Sequence, residues 1–340
     1  MQPEKIVFQA EMLANRLRSR FKHLKKWAHR IDTDAFRLYD RDIPEVPLVL
    51  DYYAGAIAGA FYERPYETDE KEESVWRAAM KKAISGAMQI DESEIFLKIR
   101  SKKRGNEQYT RFSGTEQVRT VHESGLLFQV NISDYVDTGL FLDRRNLRAL
   151  VRSESAGKRI LNLFCYTASF SIAAAAGNAS AVHSVDLSNA YLEWAGDNFL
   201  LNHFSAEKVS FPDFSANSRC PFQLIRADVR QFLASALGKH TQWDLIILDP
   251  PTFSNSKKMA VPLDIARDYP ELINRCIKLL HPDGTIYFST NARHFHFDPS
   301  LCPGITVQDL RESLRTEDFR GKIPYSYKIT HSPSESLLNR

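Results

Sequence analysis

The segment Arg159-Ile160-Leu161-Asn162-Leu163-Phe164-Cys165-Tyr166-Thr167-Ala168 decides how the second half of the chain folds. A short apolar run, strand-like in length, enters a polar and aromatic turn, and a helical stretch, Phe170–Ala176, follows at once. The same unit recurs downstream. Strand candidates Ala181–Leu187, Phe222–Asp228, Trp243–Asp249 and Gly284–Asn291 alternate with helix candidates Asn189–Asn202, Arg230–Leu237 and Asp264–Leu279. Such alternation implies right-handed crossovers and a mainly parallel, doubly wound α/β sheet buried on both faces. A late strand, Tyr325–Thr330, is expected to pair antiparallel at the edge. Ser205–Pro221, rich in Ser, Pro and Asn, reads as a mobile insertion.

Upstream the pattern changes. Phe36–Tyr53 and Ile95–Arg100 read as strands, about Lys71–Met88 as a helix, and Leu126–Ile132 as a further extended stretch. Residues 1–145 are therefore expected to form a smaller α+β domain and 146–340 the α/β domain, with the boundary between Phe141 and Gly157. From Arg16 to Arg30 there are seven Lys/Arg residues with His23 and His29 and no acid, while Leu13, Leu17, Phe21, Leu24 and Ala28 recur at helical spacing. This is a basic amphipathic helix, open to two readings: a phosphate-binding face or a solvated one. A second basic run, Lys98, Arg100, Lys102, Lys103, Arg104 and Arg111, contains Tyr109. Two basic segments with aromatic neighbours favour contact with a phosphate backbone.

Composition narrows the class. In 340 residues, 43% are hydrophobic and 26% charged, as in ordinary globular proteins, and the net charge of +3 is too small by itself to imply nucleic acid. The longest apolar stretch, Tyr52–Tyr62, is far short of the ~18 residues of a spanning helix, and no signal-peptide pattern opens the chain. A cytoplasmic protein with no membrane partner is expected. Cys165, Cys220, Cys276 and Cys302 are widely spaced without a C-x-x-C pair, which suggests reduced thiols and no metal site.

In a doubly wound sheet ligands sit at the carboxyl ends of the strands, and here those ends are polar. The first ends in the Phe164–Thr167 turn, the second in Asp186, the third in Asp228 and the fourth in Asp249-Pro250-Pro251-Thr252-Phe253. A dinucleotide fold would carry G-x-G-x-x-G after the first strand, and that turn has no glycine. The site is not built for a pyrophosphate. Asp186 still suits ribose hydroxyls, and Asp228 an adenine amino group, so S-adenosylmethionine fits; each Asp taken singly could equally be the N-cap of the next helix. The two prolines stiffen the chain after Asp249 and present Phe253 as a stacking surface for an extruded base, the alternative being Phe253 as core.

Three strings, Leu161–Thr167, Asp186-Leu187-Ser188 with Tyr191–Trp194, and Asp249–Lys257 (DPPTFSNSK), resemble the bacterial 23S rRNA methyltransferases, most closely the guanine-N7 half (RlmK) of the bifunctional RlmKL enzymes. The resemblance continues in Arg20–Trp27, Arg37–Asp40, Arg104–Tyr109, Asp134–Asp143 and Phe288–Asn291 with Arg293, and spans roughly residues 10 to 330. It implies a class I, Rossmann-like methyltransferase domain behind an RNA-facing α+β domain. Cofactor contacts would come from Phe141, Asp143, Asn162, Phe164, Tyr166, Thr167, Asp186, Leu187, Asp228, Val229 and Asp249. Arg20, Lys22, Lys25, Lys26, Lys102, Lys103, Arg104, Lys257 and Lys258 would meet 23S rRNA or a large-subunit precursor. Two departures stand out: Ala168 replaces the usual glycine, and the partner methyltransferase half is missing, so these residues alone would recognise the RNA.

Chemistry then separates the target atoms. Cytosine C5 methylation needs a thiolate to add to the ring, and the fifth strand ends Ser289-Thr290-Asn291 without a cysteine. Guanine N7 has an available lone pair and no proton to lose, so alignment suffices. Asp249, Phe253 and Asn291 are the residues expected to carry the reaction, Asp249 by favouring the purine cation, with Asn255, Asn291 or Arg293 as the donor to guanine O6. Methylation of the exocyclic guanine amine is the enzymatic alternative, and a non-catalytic RNA-binding assembly factor the alternative from another class.

Overall fold

The computed structural model describes residues 3–63, 69–100, 117–134, 137–211, 214–215, 218–255 and 261–333. The chain divides into two compact units, Met1–Leu142 with Glu317–Gly321, and Asp143–Thr316 with Lys322–Arg340.

The first unit begins with α1 (Pro3–Arg30), nearly twice as long as its basic segment. Its inward stripe, Ile6, Gln9, Leu13, Leu17, Arg20, Leu24 and Trp27, keeps helical phase throughout. Strands β1 (Ala35–Asp40), β2 (Leu48–Tyr53) and β3 (Ala56–Tyr62), then helix α2 (Glu70–Met88) and strand β4 (Ile95–Arg100) complete a four-stranded sheet of order β1-β2-β3-β4. The last pair is parallel, with α2 as its crossover. The expected Phe36–Tyr53 strand is two strands, because residues 41–47, with Pro44 and Pro47, cannot continue a ladder. The sequence reading also missed β3 and one arm of a hairpin, β5 (Val118–Glu123) with β6 (Leu126–Asn131). Ser124 and Gly125 both take positive φ, as a two-residue hairpin loop requires. The late pentapeptide joins this unit through Asp318, whose carbonyl accepts from Arg20 and whose carboxylate accepts from the Arg37 amide.

The second unit contains α3 (Arg145–Ser153), β7 (Arg159–Leu163), α4 (Ser169–Ala176), β8 (Ala181–Asp186), α5 (Asn189–Leu201), β9 (Glu207–Ser210), β10 (Phe222–Arg226), α6 (Val229–Gly238) and β11 (Trp243–Leu248). A two-residue ladder, β12 (Phe253–Ser254) with β13 (Leu263–Asp264), precedes α7 (Ile265–Leu279), β14 (Leu280–Thr290), β15 (Ile305–Asp309) and β16 (Tyr325–His331). The eight-stranded sheet runs β15-β16-β14-β11-β7-β8-β10-β9, parallel from β14 to β9. This is the expected doubly wound sheet. Alternate residues face opposite layers: Leu161, Leu163, Ile246, Leu248 and Phe288 join one core with α6 and α7, while Ile160, Leu245, Ile247 and Tyr287 join another with α3 and α4.

Two expectations are corrected. Ser205–Pro221 contains β9, which adds a parallel strand to β10. The late strand β16 lies inside the sheet, antiparallel to both β14 and β15, and β15 forms the edge. No described helix is long and apolar enough to cross a membrane.

Candidate functional site

The strand order reverses at β7, with β8 on one side and β11 on the other, so the cleft for a ligand opens beyond the carboxyl ends of β7 and β11. The β7–α4 turn is unusual in its backbone. Phe164, Tyr166 and Ala168 have φ of 56°, 53° and 63°, three left-handed non-glycine residues within five positions. Each such residue costs roughly 1–2 kcal/mol, which the surrounding contacts must offset. Tyr166 N donates to Asp186 Oδ2 (3.0 Å), Cys165 N to Val185 O (3.0 Å), and Asn198 Nδ2 to Thr167 O (3.1 Å). Ala168 is fully buried at the N-cap of α4, in the conformation glycine adopts without strain.

Asp186 is thus both a strand end and a clamp on this turn, since its Oδ1 also accepts from Ser188 N (2.9 Å). Burial pushes its carboxyl up to about 6, against the pull of these backbone donors. Leu187 beside it is half-buried. The Tyr166 ring stands edge-on to Tyr191 at 4.6 Å, while Phe164 packs partly on the core. Asp228 caps α6 by accepting from Gln231 N (3.1 Å), and Val229 is the buried first residue of that helix. Asn162 points away from an open ligand contact: it is buried, and its amide donates to Ser171 Oγ (2.8 Å), which contacts Ser184 Oγ (2.7 Å).

Beyond β11, Asp249 is gripped by a residue the sequence reading passed over. Arg144, only 4% exposed, donates from Nη2 to Asp249 Oδ1 (2.8 Å) and from Nε to Oδ2 (3.0 Å), while its Nη1 lies 3.5 Å from both Asn291 Oδ1 and Asp143 Oδ2. Ser289 Oγ donates to Asp249 Oδ1 at 2.6 Å. Burial works against the guanidinium's charge, but Asp249 and then Asp143 outweigh it and raise its pKa above the ordinary arginine value. The sequence signal for Arg144 is the charged triplet Asp143-Arg144-Arg145 at the head of a helix, and that for Ser289 is its place among the polar residues ending the fifth strand candidate. Phe253 is 55% exposed, against the core reading, and its strand is pinned by pairing with Asp264, the N-cap of α7. Asn291 is exposed at the end of β14.

No thiol is poised for covalent attack. Burial, reinforced by Asp186, pushes the Cys165 thiol well up, and burial takes Cys276 up to about 12 and Cys302 to about 11, so all three stay protonated. Cys220 sits at the amino end of β10, where its Sγ lies 3.3 Å from Phe222 O, on the opposite rim from the strand carboxyl ends.

The donor set suits S-adenosylmethionine. Among the described residues Asp143 Oδ1 has no hydrogen-bond partner although it is buried, an acceptor ready for an ammonium group, and Asp186 offers carboxylate oxygens to a diol. Phe141 belongs to the first unit and is exposed there.

Among the expected RNA contacts, Lys22, Lys25 and Lys26 are exposed on α1. Arg20 is corrected. It is 4% exposed, faces the core and donates to Asp318 O (3.2 Å) and Leu38 O (3.4 Å), so it is a structural residue. Lys102, Lys103, Arg104, Lys257 and Lys258 lie outside the described residues.

Fold and site together define a methyltransferase: residues 41–313 match the S-adenosylmethionine-dependent methyltransferase family, and the chain belongs to it, with S-adenosylmethionine as its cofactor. Ribosomal RNA large subunit methyltransferase K of Neisseria meningitidis serogroup B is 41% identical over 319 residues, covering 94% of this chain and 86% of that protein. Ribosomal RNA large subunit methyltransferase K/L of Hahella chejuensis is 40% identical over 331 residues, and this chain spans only 44% of its length. The crystal structure of SMU.776 complexed with SAH shares the fold, with a TM-score of 0.71 at 24% identity over 94% of this chain and 81% of that one.

Proposed function

We propose that this chain methylates guanine N7 in the large-subunit ribosomal RNA, on a base extruded from its stack. The K and K/L names of its relatives supply the substrate class. The observation that carries the atom is the state of Asp249, whose carboxylate already receives Arg144 and Ser289. Methylating an exocyclic amine requires a group to receive its proton, and the Asp249 carboxylate, which already accepts from Arg144 Nε and Nη2 and from Ser289 Oγ, has little acceptor capacity left for it. Transfer to N7 has no proton to remove, and asks the site only for alignment and charge complementarity.

The cofactor, when bound, supplies an electrophilic methyl group. Phe253 offers an exposed ring on which the purine stacks, worth about 1–3 kcal/mol. The Asp249 carboxyl lies beside the developing purine cation, and Asn291 donates to O6. Asp186 and Asp143 hold the diol and ammonium ends of the cofactor, and Asp228, half-buried at the end of β10, accepts from its adenine amine. Lys22, Lys25 and Lys26 meet phosphates on the RNA. The test is product analysis: 23S rRNA transcripts and large-subunit precursor particles are incubated with protein and labelled cofactor, then digested to nucleosides. The expected product is 7-methylguanosine, with chain scission after borohydride and aniline; N2-methylguanosine or 5-methylcytidine would overturn the assignment.

A further inference from the structure

We propose that Arg144 is the positioning residue that decides which functional group the site accepts beside the methylated atom. The inference deepens the N7 reading and rests on it. Arginine can only donate hydrogen bonds. Three edges of its guanidinium are directed: Nε and Nη2 to Asp249, and Nη1 to Asn291 Oδ1 and Asp143 Oδ2. Whatever faces Nη1 must therefore be an acceptor, which sets the Asn291 amide with its oxygen inward and its nitrogen outward. Asn291 is exposed at the carboxyl end of β14, on the rim shared by Asp249 and Phe253. Its outward Nδ2 is a donor. Asp249 already accepts from Arg144 Nη2 and Ser289 Oγ on Oδ1 and from Arg144 Nε on Oδ2, which leaves little capacity to oppose a base amine.

The rim therefore selects a base with a carbonyl oxygen next to the reacting nitrogen and rejects one with an amine there, because two donors facing each other leave both unpaired. Guanine, with O6 beside N7, meets that requirement. Adenine, with N6 in the same place, does not. Arg144 acts at one remove: it touches neither base nor methyl group in this reading, and its fork geometry is what a lysine at the same place cannot reproduce.

The test places single substitutions, by splint ligation, at the RNA nucleotide that the wild-type protein methylates. Inosine keeps O6 and lacks the 2-amino group, whereas 2,6-diaminopurine riboside replaces O6 with an amine. The wild-type protein should methylate guanosine and inosine within about threefold of each other and the diaminopurine at least 100-fold more slowly. Asn291→Asp, a change at an exposed position, puts an acceptor on the rim and should invert that preference. Arg144→Lys should lower the guanosine-to-diaminopurine ratio at least tenfold while calorimetric affinity for S-adenosylhomocysteine stays within threefold. An unchanged ratio in both variants, with 7-methyl products, overturns the role of Arg144 alone. N2-methylguanosine from guanosine with no product from inosine overturns the N7 reading and this inference with it.

Discussion

The guanidinium of Arg144 and the carboxylate of Asp249, 105 residues apart in sequence, meet through Nη2–Oδ1 at 2.8 Å and Nε–Oδ2 at 3.0 Å at the mouth of the parallel sheet. The two partners are not equivalent. Arg144 has a second acid, Asp143, within 3.5 Å, whereas among the described residues Asp249 has only the Ser289 hydroxyl besides. Arg144→Ala should therefore cost about 3–5 kcal/mol, the usual penalty for stranding a buried charge, and Asp249→Asn distinctly less. Urea unfolding of both variants checks this; equal losses would show that Asp143 gives the guanidinium no compensation.

Ala168 holds a left-handed backbone at φ 63° inside a fully buried turn. Ala168→Gly should remove that strain and stabilise the protein by about 0.5–1 kcal/mol after glycine's larger unfolded-state entropy is counted. A raised melting temperature is the expected reading, and a drop would mean that the methyl group's packing outweighs the strain.

Asp186 titrates near 6 in the fold, chiefly through burial, against 3.8 ordinarily. Between those values the folded chain binds the proton more tightly than the unfolded one, so this group favours folding most in acid and its contribution falls as pH rises to about 6. Cofactor binding runs the other way, because the ionised form accepts the diol. Calorimetric affinity for S-adenosylhomocysteine should rise from about pH 5 to pH 7 and lose that rise in Asp186→Asn; an unchanged slope in the variant would remove Asp186 from the ribose site.

Phe253 is more than half exposed, so Phe253→Ala should leave stability within about 0.5 kcal/mol. Turnover on RNA should fall about 10- to 100-fold, following the loss of a base-stacking surface, while Phe253→Tyr keeps most of it. Full activity in the alanine variant would refute the stacking role.

On α1 the charges divide by helical phase. Replacing exposed Lys22, Lys25 and Lys26 by Ala should weaken RNA binding and flatten its salt dependence by roughly 0.7–0.9 in slope per lost phosphate contact, with cofactor affinity unchanged. Arg20→Ala should instead lower stability, because its guanidinium bonds Leu38 O and Asp318 O inside the unit. An unaltered salt slope in the triple variant would make the face a solvated one.

Local pattern alone carried the doubly wound sheet, since strands β7, β8, β10, β11 and β14 and helices α4, α5, α6 and α7 announce themselves by their own periodicity. It also carried the polar strand ends Asp186, Asp228 and Asp249, because a parallel sheet puts every one of those ends on the same rim. The burial of Arg20 was missed, although it falls in phase with Leu13, Leu17, Leu24 and Trp27 on one stripe. Strands β9 and β15 were not legible: both are short, exposed edge segments whose β structure comes from the neighbour they pair with rather than from apolar alternation. The Arg144–Asp249 clasp lay further out of reach, since a guanidinium's partner depends on which strand ends converge in space and no spacing in the sequence records that convergence.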